Sequence, residues 1–293
     1  MSEQLLINVF NVDAALAVGR AQGFFIAEGL DVDVIVTPNS TEQMRGLGKN
    51  SWQLVSTAFD NVLGWSGREG AEFVAIARVS EGGPLPVYVR PEIKNWEDLR
   101  GKALAVDAVD TAFALVLRRV LLAHGLEMDR GDYSLIAKGT TGFRLDSMVK
   151  RETFAGVLNA PWDAKAAVAG MVRFADHRAV LPDYPGGVFA VGRQWAAEHR
   201  PLLVKFLSAW NRALVFALDE NNRAEVLAIV AAEEKLDEKA AARKLAQLPK
   251  SGALNLTGLK CVLDLRVLFK LTPPMGKELP GYYDDSFYRQ ATE

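Results

Sequence analysis

Short apolar runs alternate with amphipathic stretches along the first part of the chain. The predicted strands are Leu5–Phe10, Asp31–Val36, Trp52–Ser56 and Phe73–Ala77. Asp13 can cap a helix over 14–28 that Gly29 ends, and Ser40–Gln43 has the spacing of a capping box that opens a second helix. This βαβα order predicts a parallel sheet covered by helices on both faces.

The same order of elements then recurs. It consists of strands at Ala103–Asp107 and Tyr133–Ala137 with an amphipathic helix over 112–124 between them. The pairs Gly29-Leu30 and Gly125-Leu126 occupy equivalent places, 125 − 29 = 96 residues apart. We therefore predict two similar lobes; the alternative is that any α/β chain repeats this rhythm.

Two glycine pairs, Gly82-Gly83 and Gly186-Gly187, bracket the second set of elements. We expect the chain to leave the first lobe at one pair and to return at the other. Lobe one then comprises residues 1–82 plus 188–293, with extra C-terminal helices, and lobe two comprises residues 83–187. Because glycine adopts unusual φ and ψ at low cost, the crossings form a candidate two-segment hinge, with surface turns as the alternative.

Charge and composition exclude several classes of protein. Lys plus Arg is 34 and Asp plus Glu is 36, so the formal net charge is −2 and does not favour nucleic acid or an anionic membrane. No continuous apolar stretch is long enough to predict membrane insertion. Cys261, the only cysteine in the sequence, excludes an internal disulfide. The N-terminus shows no signal peptide, so the protein is expected in the cytoplasm unless an export signal has been removed.

Sequence motifs for common catalytic chemistry are missing. The chain has no Walker A loop, no Gly-x-Gly-x-x-Gly, no Gly-x-Ser-x-Gly and no His-Glu-x-x-His. Its three histidines, His124, His177 and His199, do not follow predicted strands and are expected at helix ends, in turns or between helices. We therefore expect no cofactor and no metal ion.

Polar residues instead follow the predicted strands, where doubly wound sheets bind their ligands. The candidates from this pattern are Asn11, Asp13, Ser40, Thr41, Thr57 and Asp60 in lobe one, and Asp107, Asp110, Thr111, Asn159 and Trp162 in lobe two. Each has a structural alternative, since Asp13, Ser40 and Asp110 can be helix caps and Trp162 can be a packing residue. Facing lobes would place these residues in an interlobe cleft.

Four segments carry a resemblance to a known family. They are AQGFFIAEGLDVDV at 21–34, NWEDLRGK at 95–102, NAP at 159–161 and WAAEHRPLL at 195–203. The chain resembles, over roughly residues 5 to 222, the periplasmic solute-binding proteins of ABC importers, in the branch for nitrate, sulfonates, taurine and thiamine-pyrimidine precursors. The resemblance implies a type II periplasmic-binding-protein fold and adds Phe59 and Phe113 to the candidate ligand residues.

The resemblance implies capture of a small organic solute for an ABC permease, in the periplasm if a signal peptide has been removed. Asp107 and Asp110 depart from the sulfonate and nitrate binders, because carboxylates near a helix start repel an anion. The alternative is a cytosolic lyase or decarboxylase of the same fold that uses Asp13, Asp60 or Asp110 for proton transfer. A soluble sensor module is a third interpretation. At least one carboxylate among Asp13, Asp60 and Asp110 is expected to contact an amine or hydroxyl of the ligand.

Overall fold

A computed structural model describes residues 2–293, which divide into two compact units. Unit 1 comprises the chain up to Gly82 together with Pro185–Leu263 and Thr272–Glu293. Unit 2 comprises Gly83–Tyr184 and Asp264–Leu271. The sequence-based boundaries differ in two places, since they put 185–187 in lobe two and 264–271 in lobe one.

Contacts within unit 2 explain why the segment Asp264–Leu271 belongs to it. The Lys270 ammonium lies 2.9 Å from a carboxylate oxygen of Asp129. The Arg118 guanidinium stacks 4.1 Å from the centre of the Phe269 ring. Sequence patterns do not report such long-range pairs, so they group the segment with its neighbours in the chain.

The strands and helices alternate through much of the chain. The strands are β1 (Glu3–Val9), β2 (Leu30–Val36), β3 (Leu54–Ala58), β4 (Phe73–Arg78), β5 (Pro86–Val89), β6 (Lys102–Val106), β7 (Tyr133–Ala137), β8 (Ala155–Val157), β9 (Val172–Asp176) and β10 (Gly187–Gly192). The helices are α1 (Ala14–Ala21), α2 (Phe24–Ala27), α3 (Ser40–Gly48), α4 (Phe59–Trp65), α5 (Ala112–Ala123), α6 (Thr141–Val149), α7 (Trp162–Val168), α8 (Arg193–Glu198), α9 (Arg200–Leu218), α10 (Arg223–Glu234), α11 (Glu238–Leu245), α12 (Leu256–Leu268) and α13 (Ser286–Thr292).

Unit 1 is built on a five-stranded sheet of order β2-β1-β3-β10-β4. Strand β1 pairs in parallel with β2 and β3, whereas β10 lies antiparallel between β3 and β4. The register places Ala58, at the end of β3, opposite Gly187, at the start of β10. The four strands from which a parallel sheet was predicted, β1 to β4, run parallel, and the added antiparallel strand is β10, where the chain re-enters the unit.

Unit 2 repeats this topology with the order β7-β6-β8-β5-β9. Strand β6 pairs in parallel with β7 and β8, and β5 lies antiparallel between β8 and β9. The antiparallel strand thus occupies the same place in both sheets, which agrees with the repetition read from the sequence. Each sheet with its helices forms one α/β layer system, so the predicted α/β fold class is confirmed.

Each unit has its own apolar core. In unit 1, Leu5, Ile7 and Val9 of β1 are fully buried and lie in one cluster with residues of α1 and α9. Within residues 2–293, α9 is the one helix that is long and apolar enough to cross a membrane. Half of its apolar stretch is buried inside the protein. Phe206 and Trp210 of α9 belong to the unit 1 core.

Two local predictions need correction. The helix predicted over 14–28 breaks into α1 and α2 because Gly23 adopts a left-handed conformation, with φ of 71°. Gly29, with φ of 72°, follows α2 as predicted. Ser40 is not the cap of α3: the Asn39 Oδ1 accepts the Glu42 N–H at 2.9 Å, since Asn39 has the extended backbone that an N-cap needs and Ser40 is already helical.

Candidate functional site

The carboxyl edge of the unit 1 sheet gathers the residues that follow β1, β2 and β3. These strands end at Val9, Val36 and Ala58, and the helices α1, α3 and α4 begin within a few residues of them. Parallel strands end at a common edge, and the following helices direct free backbone N–H groups toward it. The unit 1 candidates therefore share one edge of the sheet.

Asp13 is the most constrained of these residues. Its Oδ1 accepts the Leu16 N–H at 2.9 Å and lies 3.3 Å from the Trp210 indole nitrogen, whereas its Oδ2 is buried without a hydrogen-bond partner among residues 2–293. Burial raises the pKa of Asp13 from 3.8 to about 6, against the opposing effects of these hydrogen bonds and of Lys244. Asp13 is thus a helix cap, as predicted, and also a carboxyl group that titrates near neutral pH.

The other unit 1 candidates fall into two groups by exposure. Asn11 and Thr41 are exposed and Ser40 is half-buried. Thr57, Phe59 and Asp60 are buried, and the Thr57 hydroxyl accepts a hydrogen bond from the Asn61 amide at 2.9 Å. The first group is open to solvent, whereas the second supports the edge from beneath.

Sequence reasoning missed two features of this edge. Gln43 is fully buried, and its amide donates to the backbone carbonyls of Asn8 and Ser56, both at 3.2 Å, which ties β1 to β3. Phe10 and Val36 are exposed apolar residues at the ends of β1 and β2, 41% and 61% accessible. The available signal was their position, because an apolar side chain at a strand end in a polar loop is unusual.

In unit 2, the residues after β6, β7 and β8 meet at the corresponding edge. Asp107 follows β6, and its Oδ1 accepts the Thr111 hydroxyl at 2.6 Å. The N-cap position of α5 is Thr111, which makes no side-chain cap bond; Asp110, a candidate cap by sequence, lies one residue before that position. Thr140 at the start of α6 also makes no side-chain cap bond.

Arg144 is the residue that sequence reasoning missed in unit 2. It lies in the first turns of α6, with its side chain 1% exposed. Its Nη2 donates to the Thr141 hydroxyl at 2.5 Å, and its guanidinium lies 4.8 Å from the centre of the Phe113 ring. The signal was a charged residue on the buried face of α6, shared with Leu145 and Met148.

The remaining unit 2 candidates surround this arginine or lie nearby. The Asn159 Oδ1 accepts the Thr141 hydroxyl at 2.8 Å, so Arg144, Thr141 and Asn159 form one hydrogen-bonded chain. Trp162 is half-buried and packs against Gly142, where a Cβ atom would lie 2.7 Å from its ring. The backbone oxygen of Asp110 accepts from Arg266 at 3.3 Å.

The histidines serve packing and hydrogen bonding. His177 begins the short 3₁₀ turn His177–Ala179, in agreement with the prediction; it is 2% exposed, and its Nδ1 accepts the Leu85 N–H at 3.1 Å. Burial lowers the pKa of His177, so its ring is neutral at pH 7. His124 and His199 stack on Trp96 and Trp195 respectively. Within residues 2–293 no group of three His, Cys, Asp or Glu side chains is placed to hold a metal ion.

A groove of about 570 Å³ lies elsewhere on unit 1. It is lined by Glu220, Asn221, Arg223, Ala224, Leu227, Ala228, Ala231 and Glu238. The groove contains no predicted site residue, and it is an open surface depression beside α10 and α11. The chemistry at the strand ends is therefore the better guide to the site than the size of this groove.

The two five-stranded α/β units, each with one antiparallel strand at the same place, define the type II periplasmic-binding-protein fold. The model of the NMT1/THI5-like family matches residues 12–224, and the chain belongs to that family. No curated protein sequence matches the chain significantly. The family relationship predicted from the sequence is thereby confirmed.

Solved structures share this fold at low sequence identity. The alkanesulfonate-binding protein SsuA from Xanthomonas axonopodis pv. citri, bound to MOPS, is 19% identical, covers 97% of this chain and 99% of its own, and has a TM-score of 0.77. The periplasmic nitrate-binding protein NrtA from Synechocystis PCC 6803 is 13% identical, with 99% and 88% covered and a TM-score of 0.80. The desulfurization enzyme DSZB is 16% identical, with 99% of both chains covered and a TM-score of 0.70. The fold therefore carries both binding proteins and an enzyme.

Proposed function

We propose that this protein is the solute-binding component of an ABC importer, which captures a small organic solute reversibly and passes it to a membrane permease. The observation that carries the proposal is a pair of similar α/β units in a chain of the NMT1/THI5-like family, each with polar groups at the carboxyl edge of its sheet. Neighbours named as alkanesulfonate-binding and nitrate-binding proteins support it. By the same comparison, we place the working protein in the periplasm.

The proposed ligand residues are those predicted from the sequence. In unit 1, Asn11, Ser40 and Thr41 offer accessible amide and hydroxyl groups, while Asp13, Thr57, Phe59 and Asp60 support them. In unit 2, the set is Asp107, Asp110, Thr111, Phe113, Asn159 and Trp162, all half-buried. Amides, hydroxyls, carboxylates and aromatic rings together suit a solute with an apolar part and a polar end.

An enzyme is the second candidate, and Asp13 is the observation that favours it. A carboxyl group with a pKa of about 6 suits general acid and base catalysis near neutral pH. The neighbour DSZB shows that the fold accommodates catalysis. The cap bond to Leu16 and the burial of Asp13 support a structural role at least as well.

Calorimetric titration with candidate solutes, followed by chromatography of the recovered solute, separates the two functions. Transport predicts a saturable one-to-one isotherm and a solute recovered unaltered. Conversion of the solute by the wild type, lost in Asp13→Asn and kept in Asp237→Asn, would establish the enzyme instead. Asp237 is a matched control because it is also an N-cap aspartate, accepting the Ala240 N–H at 2.7 Å, but is exposed.

A further inference from the structure

Arg144 is buried without full hydrogen bonding, and packing alone does not account for it. Its Nε and Nη1 have no hydrogen-bond partner among residues 2–293. Nη1 lies 3.7 Å from Asp107 Oδ1, close enough for attraction between the two charges but beyond hydrogen-bond distance. A buried guanidinium is costly unless it is paired, so the cation belongs with the Asp107 carboxylate.

The two oxygens of Asp107 have different surroundings. Oδ1 faces the protein, where it accepts the Thr111 hydroxyl and lies nearest Arg144. Oδ2 is not the oxygen nearest Arg144, the backbone N–H groups of Ala108 and Asp107 also bond the carboxylate, and the side chain is 29% accessible. One oxygen therefore anchors the carboxylate, and the other stays available at the carboxyl edge of the unit 2 sheet.

We propose that Arg144 is a positioning residue that keeps Asp107 ionised and oriented, so that Asp107 Oδ2 accepts a hydrogen bond from an N–H or O–H group of the solute. The inference rests on the proposed solute-binding function and names the chemistry of the solute. An ionised carboxylate only accepts hydrogen bonds, so its partner must donate. An ammonium group fits best because its hydrogen bond to a carboxylate is charge-assisted, whereas an anionic head group is repelled.

The electrostatics of Asp107 support this role for Arg144. Burial raises the pKa of the Asp107 carboxyl above its usual value, while the Thr111 hydrogen bond, the Arg144 charge and hydrogen bonds from the backbone N–H groups of Ala108 and Asp107 oppose the rise. Arg144 is the charged side chain that forms an ion pair with Asp107. Without that charge the pKa of Asp107 would rise further, and the carboxyl would keep its proton up to a higher pH.

The first test measures the Asp107 carboxyl directly by ¹³C NMR titration. Arg144→Gln removes the charge and should raise the pKa of Asp107 by about one unit. The control is Lys150→Gln, which removes one positive charge at the other end of α6, where Lys150 pairs with Asp146, and should leave the Asp107 titration unchanged. An unchanged Asp107 titration in Arg144→Gln would overturn the proposal, even if the variant were less stable. Arg144→Lys retains the charge and should titrate like the wild type.

The second test uses the wild type, so it does not depend on folding of an Arg144 variant. Matched amines and carboxylates, benzylamine with benzoate and butylamine with butyrate, are titrated by calorimetry. The amine of each pair should bind at least about tenfold more tightly. Asp107→Asn should abolish that preference.

Tighter binding of the carboxylates, a preference for amines that Asp107→Asn retains in full, or binding of neither class would overturn the proposed solute chemistry. These outcomes differ from failure of the proposed function, which is conversion of the solute. If the protein converts its solute, yet binds amines more tightly than carboxylates through Asp107, the assignment of Arg144 and Asp107 remains intact.

Discussion

At the scale of single residues, the two sheet edges hold carboxyl groups in different states. Asp13 is buried with one oxygen unpaired, and burial raises its pKa to about 6. Asp107 is half-buried and faces Arg144. Aspartate therefore serves in unit 1 as a helix cap whose pKa lies near neutral pH, and in unit 2 as a hydrogen-bond acceptor paired with Arg144.

Asp13→Asn should change how stability depends on pH. The folded protein holds the Asp13 proton up to about pH 6, whereas an unfolded chain releases it near 3.8. In the wild type this group stabilises the fold fully below pH 3.8, and the contribution is lost as pH rises through about 6. The two pKa values differ by about two, which corresponds to roughly 3 kcal/mol.

Asparagine does not titrate, and it caps helices as well as aspartate. As pH rises from below 3.8 to above about 6, the wild type should therefore lose roughly 2–3 kcal/mol of unfolding free energy relative to Asp13→Asn. Urea unfolding at a series of pH values measures the shift. The exposed cap variant Asp237→Asn should show no comparable shift, and parallel pH profiles for Asp13→Asn and the wild type would contradict the burial argument.

At the scale of elements, two backbone segments of unit 1 approach closely beside β10. A Cβ atom on Gly186 would lie 2.3 Å from the Gly82 nitrogen and the Ser80 oxygen. The Val79 N–H donates to the Gly187 oxygen at 2.8 Å, and the Gly187 N–H donates to the Ser80 hydroxyl at 2.9 Å. The sequence predicts that these glycines provide freedom to bend, whereas in the fold Gly186 is required for close packing.

Gly186→Ala should destabilise the protein by about 1–3 kcal/mol, because backbone atoms cannot move aside as a flexible side chain would. Gly187→Ala is the matched control. Its Cβ atom would meet the Thr57 oxygen at 3.5 Å and the Ser80 hydroxyl oxygen at 3.7 Å, which are ordinary contacts. Thermal unfolding compares the two variants, and equal melting temperatures would contradict the steric account.

Element patterns explain how far the fold could be predicted. Strands with clear apolar runs, such as Leu5–Phe10 and Tyr133–Ala137, are predicted within a few residues of their observed bounds. Strand β8 has three residues and includes Gly156, so a strand before Asn159 is predicted but its bounds are not. Strand β9 has no buried residue, so no alternation of buried and exposed positions marks it. Arg144 escapes prediction for another reason, because its partners Asp107 and Phe113 come from other elements of the unit.

At the scale of the whole molecule, the fold class and the family were predictable because short motifs occurred in the right order along the chain. The chemistry of the solute was not, since it depends on side-chain pairs brought together by folding.

A bound solute stabilises the folded state by mass action, so the melting temperature should rise as the free solute concentration increases relative to Kd.

The most direct test of the proposed solute capture is native mass spectrometry of protein purified from its own cells under non-denaturing conditions. A solute-binding protein predicts one small molecule bound per chain, released on denaturation and rebound unaltered on renaturation. The proposed pairing of Asp107 and Arg144 predicts that this molecule carries an amine or another N–H or O–H donor. Release of a molecule that the refolded protein converts to a different product would contradict the account.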